Sequence, residues 1–195
     1  MARLQELLPD CAILHPSLAD NEADRRAAQW VLDNGGTVAA YPGSWLQQIP
    51  QEPFAVTNID IGFSETTPKT GSVNLNGLRS IATLLWSSFL DADNELANIG
   101  KLTSLTYLDN LYYLTLAECK NISGAGLEHL SALPALRQLD VTATSIDDDA
   151  LVHLKKMKGL RVLMLSETKV TATAVAELQQ ALPDCVIFRE STAKG

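Results

Sequence analysis

The chain has 195 residues, a formal net charge of −8 and a pI near 4.8. An acidic surface is poorly suited to phosphate backbones, so nucleic acid and anionic membrane are disfavoured as partners and a basic protein surface is favoured. Hydrophobic residues are 46% of the sequence and aromatics only 6%, a balance that suits a core of stacked Leu, Ile and Val.

Three cysteines, Cys11, Cys119 and Cys185, form an odd set without close spacing, so neither a disulfide framework nor a metal knuckle is expected. They read as reduced, mostly buried thiols. The opening MARLQELLPD shows no basic segment followed by an apolar run, and no stretch approaches the roughly 18 apolar residues of a membrane span. The expected compartment is cytoplasmic and reducing.

In chain order, residues 4–14 (LQELLPDCAIL) come first and are matched by residues 178–188 (LQQALPDCVIF). In both, a helix end meets Pro-Asp and then an apolar strand, which suggests one type of edge unit used twice. The alternative is the tail of an earlier repeat block, which would make the chain part of a longer protein. Residues 19–33 predict a helix: Asp20 or Asn21 can cap it, Glu22 and Asp24 suit its positive end, and Gly35 suits the left-handed residue after it. Ala23, Ala27, Trp30 and Val31 line one face of that helix. Gly35-Gly36 then turns the chain into a strand, Thr37 to Tyr41. Residues 42–53 carry three prolines and read as irregular, with Trp45 and Leu46 tucked against this helix-strand unit.

From residue 54 the apolar pattern becomes periodic. Leu136, Leu139, Val141, Thr144 and Ile146 recur as Leu160, Leu163, Leu165, Thr168 and Val170, each 24 positions on (136 to 160). A fixed period of roughly 20 to 29 residues with this leucine spacing predicts a leucine-rich repeat solenoid. Working backwards, Leu111, Leu114, Leu116, Cys119 and Ile122 open a third repeat, with Leu127, Leu130 and Leu133 on its helix. A degenerate second repeat places Trp86, Phe89 and Asp91 on the strand and Leu102, Leu105 and Leu108 on the helix. The first uses Val56, Ile59 and Ile61, then Leu78, Ile81 and Leu84 on the helical side. In that alignment the polar segment 62–73 (GFSETTPKTGSV) is about six residues too long and predicts a protruding loop. Ser123, Asp147 and Thr171 stand at equivalent positions before the helices, where a side-chain oxygen can cap free amides.

The aligned repeats also share a column: Ser64, Asn94, Cys119, Thr144 and Thr168. Short polar or thiol side chains there can satisfy backbone groups freed where the chain leaves its strand. With this column the chain resembles the ribonuclease-inhibitor-like leucine-rich repeats of bacterial type, in particular the cysteine-containing subclass. The third repeat, LYYLTLAECKNISGAGLEHLSAL, matches that subclass best, and the resemblance covers roughly residues 54 to 188. It implies an α/β fold: a right-handed solenoid of about five repeats, with a parallel sheet on the concave face and helices on the convex face. Residues 1–53 would form an N-terminal helix-strand cap, 54–190 the solenoid and 191–195 a disordered tail. The resemblance implies binding and offers no catalytic residue to carry over.

Strand side chains alternate, so the outward set comprises Asn58, Asp60, Tyr113, Thr115, Gln138, Asp140, Val162 and Met164, with Arg137 and Arg161 at the margin. Neighbouring strands lie about 4.8 Å apart, which makes these residues one patch. An aromatic ring, a thioether, acids and amides together suit a protein interface; the bland alternative is a solvated sheet face. Asp147-Asp148-Asp149 with His153 could suggest a metal site, but capping and the helix dipole account for the acids. His129 and His153 share a repeat position, as repeat copying would place them. Cys119 belongs to the internal column with no histidine in its strand register, and GFSETTPKTG lacks the Gly-Lys-Ser/Thr order of a phosphate loop. The expectation is a non-catalytic, monomeric protein-binding module without metal or cofactor. Its alternative is a structural end-piece of a larger repeat or signalling protein.

Overall fold

The computed structural model describes residues 22–41, 44–52, 54–61, 78, 81–86 and 111–190. Twelve elements and one 3₁₀ turn are built from them: α1 (Glu22–Asp33), β1 (Thr37–Tyr41), β2 (Ser44–Leu46), β3 (Ala55–Ile61), β4 (Thr83–Trp86), β5 (Tyr113–Thr115), α2 (Gly124–Leu130), β6 (Gln138–Asp140), the turn Asp148–Ala150, α3 (Leu151–Leu154), β7 (Val162–Met164), α4 (Ala172–Ala181) and β8 (Val186–Phe188). All the strands join one sheet in the order β2-β1-β3-β4-β5-β6-β7-β8. From β3 to β8 every pairing is parallel, whereas β1 runs antiparallel to both β2 and β3.

The register explains the repeat. Ile59 stands beside Leu84, Leu84 beside Leu114, Leu114 beside Leu139, Leu139 beside Leu163, and Leu163 beside Ile187. All but Ile187 are essentially sealed from water, at 1% exposure or less. Each such side chain contributes about 1.5–3 kcal/mol by burial. Leu127, Leu130, Leu151, Leu154 and Leu178 come from the helices and close the same core. The fold is thus an α/β stack of strand-turn-helix coils with leucine-rich repeat spacing.

This register corrects the second repeat. Its strand is Thr83–Trp86, not the run through Trp86, Phe89 and Asp91. Ile81, Leu84 and Trp86 are the true counterparts of Val56, Ile59 and Ile61. Ile81 and Leu84 are therefore strand-side residues, not helical ones. The first coil step is consequently a regular 25 residues (Ile59 to Leu84), and the long step of 30 runs from Leu84 to Leu114. The expected protruding loop at 62–73 lies outside the described residues. Phe89, Asp91, Asn94, Leu102, Leu105 and Leu108, read onto the second repeat, lie outside the described residues. Segments 1–21, 62–77 and 87–110 lie outside the described residues, as do Ser64, Cys11, the matched 4–14 unit and the 191–195 tail.

The N-terminal elements extend the sheet. Ala23, Ala27, Ala28 and Val31 of α1 pack onto it, while Trp30 is half-buried. Asp24, only 5% exposed, accepts the Val56 amide at 2.6 Å through Oδ1, tying helix to strand. Arg25 donates to the carbonyls of Pro50, Gln51 and Glu52 and lies 5.3 Å from the Phe54 ring centroid. Gly35 takes the left-handed conformation at φ 76, where glycine carries no Cβ penalty. A Cβ at Gly36 would meet the Asp60 carbonyl at 2.6 Å, so only glycine fits between α1 and β3. The segment expected to be irregular contains β2, and its alternation corrects a second expectation. Leu46 points inward opposite Val38, but Trp45 points outward opposite Ala39 and is 55% exposed.

At the coil turns Glu118, Ala143 and Glu167 all adopt φ near 60, at 63, 56 and 57. The next residue in each coil belongs to the internal column. Thr144 Oγ1 donates to the Val141 carbonyl and Thr168 Oγ1 to the Leu165 carbonyl, both at 2.7 Å. Cys119, also buried, completes the described part of the column. Two of the three expected helix caps form: Ser123 accepts from the Ala125 amide and Thr171 from the Ala174 amide, each at 3.2 Å. Asp147 makes no side-chain cap, because its coil starts with the tighter 3₁₀ turn. Instead Asp148 bridges coils, accepting the Thr171 amide at 2.7 Å and its hydroxyl at 2.8 Å.

Candidate functional site on the outward face of the sheet

Side-chain alternation and the parallel register bring the eight expected residues onto one face. Two rows cross the strands. One runs Trp45, Ala39, Asn58, Thr83, Tyr113, Gln138, Val162, Val186. The other runs Thr37, Asp60, Leu85, Thr115, Asp140, Met164, Phe188. Asn58 and Asp60 are separated from the other six by β4. The outward residues of that strand, Thr83 and Leu85, were missed because the second strand was read five positions late. Ile81-x-x-Leu84-x-Trp86 repeats Val56-x-x-Ile59-x-Ile61, and that match was the available signal. Val186 and Phe188 were missed too, although they stand 24 positions after Val162 and Met164 (162 to 186).

The face changes character along the stack. From β3 to β6 it is polar, with Asn58, Asp60, Thr83, Thr115, Gln138 and Asp140 around Leu85 and Tyr113. From β7 to β8 it is wholly apolar: Val162 and Met164 are half-buried, and Val186 and Phe188 are 55% and 51% exposed. Large apolar side chains left this open on adjacent strands mark a contact surface more often than isolated ones do.

Asp140 sits at the boundary. Its Oδ1 accepts the Thr142 amide at 2.9 Å, which fixes the carboxylate at the strand end. Thr115 does the same for Ala117 one coil earlier, at 3.3 Å. The phenol of Tyr113 ionises above its usual 10.0: burial is the larger cause, the Asp140 charge the second, and a hydrogen bond with Thr115 opposes both. Tyr113 stands opposite Gln138 and so lies diagonal to Asp140 across β5 and β6. Gln138 Nε2 donates to the Tyr112 hydroxyl at 3.4 Å.

The marginal arginines are turned to their own backbone. Arg137 Nη1 donates to the Pro134 and Leu136 carbonyls, and Arg161 Nη1 to those of Lys158 and Leu160. Among the described residues neither forms an ion pair with Asp140. Beside α1 an open depression of about 500 Å³ is lined by Arg25, Arg26, Gln29, Trp30, Asp33 and Ile49. Its Arg25 is the guanidinium already bonded to three carbonyls.

On the helical side His129 is exposed and His153 half-buried, with no hydrogen-bond partner for the buried His153 Nδ1 among the described residues. Among those residues no three His, Cys, Asp or Glu side chains gather as a metal set. Cys185 is buried, and burial raises its thiol pKa against the lowering effect of Arg161. Among the described residues no helix is long and apolar enough to cross a membrane.

No protein-family model matches the sequence, and no curated protein matches it. Solved structures do match. One is the Chaetomium Mex67:Mtr2 subunits, at 18% identity and TM-score 0.43, over 50% of this chain and 69% of that one. Another is the internalin inlF from Listeria monocytogenes, at 13% identity and TM-score 0.34, over 60% of this chain and 43% of that one.

Proposed function

We propose that the chain is a non-catalytic protein-interaction module that binds a partner through the outward, concave face of its sheet. The observation that carries this reading is the apolar group Val162, Met164, Val186 and Phe188, open on two adjacent strands beside the polar Tyr113–Asp140 boundary. Such a mixture of apolar anchors, an aromatic ring and a few charges is what protein interfaces use. The proposed subclass is the ribonuclease-inhibitor-like, cysteine-containing repeat. The column of Cys119, Thr144 and Thr168 supports it.

The test is affinity capture from native lysate with the wild-type chain and with Tyr113→Ala/Met164→Asp. Both side chains are half-buried and outward, so the pair of changes should leave the melting transition nearly unmoved. The reading predicts loss of the captured partner. Capture that persists through both changes contradicts it.

A further inference from the structure

The partner's chemistry follows from the order of groups across the face, on the premise that this face is the binding surface. Among the described outward residues, charge is confined to Asp60 and Asp140. Asp140 stands next to the apolar strip: Met164 lies beside it and Phe188 beside Met164, all in one row. Tyr113 lies across from Gln138 on the neighbouring strand and therefore diagonal to Asp140 on the same face, where long side chains two positions apart on adjacent strands come within reach. An aromatic ring and a carboxylate diagonal to each other on one face form a seat for a cation, since both favour positive charge. Asp140 is held by the Thr142 amide at Oδ1, so the carboxylate half of the seat is fixed before any partner arrives. The marginal arginines bond to their own carbonyls and leave the seat to an incoming cation.

We propose that the face takes an extended partner segment carrying a lysine or arginine two positions from a bulky apolar residue. The cation settles between Tyr113 and Asp140, and the apolar residue lies on Met164 and Phe188. The spacing follows from strand geometry. Alternate residues of an extended segment are about 6.6–7 Å apart. From the midpoint of β5 and β6 to the midpoint of β7 and β8 is about 9.6 Å, two strand spacings of about 4.8 Å, and the long side chain of lysine or arginine spans the difference of about 3 Å. A segment crossing the strands therefore reaches both subsites without distortion. The net charge of −8 favours approach of a basic segment.

The test selects phage-displayed random dodecapeptides on the immobilised full chain and measures the enriched peptides by fluorescence anisotropy. The proposal predicts enrichment of Lys or Arg two positions from Leu, Ile, Met or Phe. Asp140→Asn, which keeps an oxygen for the Thr142 amide, should weaken those peptides by about tenfold, and added salt should weaken them further. Enriched peptides that lack a basic residue but lose binding with Met164→Asp would overturn the proposal and leave the binding-face reading standing. Peptides indifferent to both Asp140→Asn and Met164→Asp, or no enrichment at all, would overturn the proposal. Capture of a native partner that is still lost with Tyr113→Ala/Met164→Asp would then keep the binding-face reading apart from that failure.

Discussion

Leu84 lies in parallel register with Ile59, one strand away, and both side chains are fully buried. The relationship makes β4 an ordinary coil strand and puts the next residue, Leu85, on the outward face. It predicts opposite behaviour from adjacent leucines. Leu84→Ala should cost about 2–5 kcal/mol, as for other sealed core leucines. Leu85→Lys should change stability by no more than about 0.5–1 kcal/mol, because its side chain reaches solvent. Urea unfolding of the two variants checks this. Equal losses would contradict the register.

The same strand shows where the sequence was legible and where it was not. In the coils that open at Leu111 and Leu136 the strand carries Leu-x-x-Leu-x-Leu/Val with polar or tyrosine neighbours, and the 24-residue match extends that register to Leu160, so the outward residues Tyr113 to Met164 could be named. Around β4 the run Leu84-Leu85-Trp86 is apolar without interruption. Burial alone does not choose between registers there, and a late choice moved the surplus residues into 62–73. Trp45 and Leu46 were read together as inward, but adjacent strand residues alternate, and the pairing with Ala39 turns Trp45 outward. Asp147 looked like a cap by equivalence with Ser123 and Thr171. The 3₁₀ start of its coil is set by local backbone, which that equivalence does not reveal.

Thr144 and Thr168 hold the Val141 and Leu165 carbonyls where the chain leaves β6 and β7. Thr144→Val keeps the volume and removes the donor, leaving a buried carbonyl unsatisfied. The expected cost is about 1–3 kcal/mol. Thr144→Cys, which puts the Cys119 residue type at the same position, should cost less than Thr144→Val. Chemical denaturation of the two variants measures the order, and the reverse order would contradict the column's role.

Tyr113 supplies a pH prediction. Burial and the Asp140 charge raise its phenol above the usual 10.0, so the fold holds the protonated ring more firmly than the unfolded chain does. That contribution is fully present below pH 10 and is lost as pH rises through the raised value. Asp140→Asn removes one of the two raising causes and should lower the Tyr113 titration point. Ultraviolet titration in a background where Tyr41, Tyr107 and Tyr112 are phenylalanine isolates the signal. An unmoved titration point would show that the two groups do not share the boundary described.

A partner seated on the outward sheet face must lie within reach of a probe placed there. Photo-crosslinking tests this most directly, with a benzophenone amino acid placed at Thr115 on that face or at Val152, which is 53% exposed on α3. In native lysate the account predicts a crosslinked partner from position 115 and none from position 152. A partner trapped from position 152 alone would contradict it.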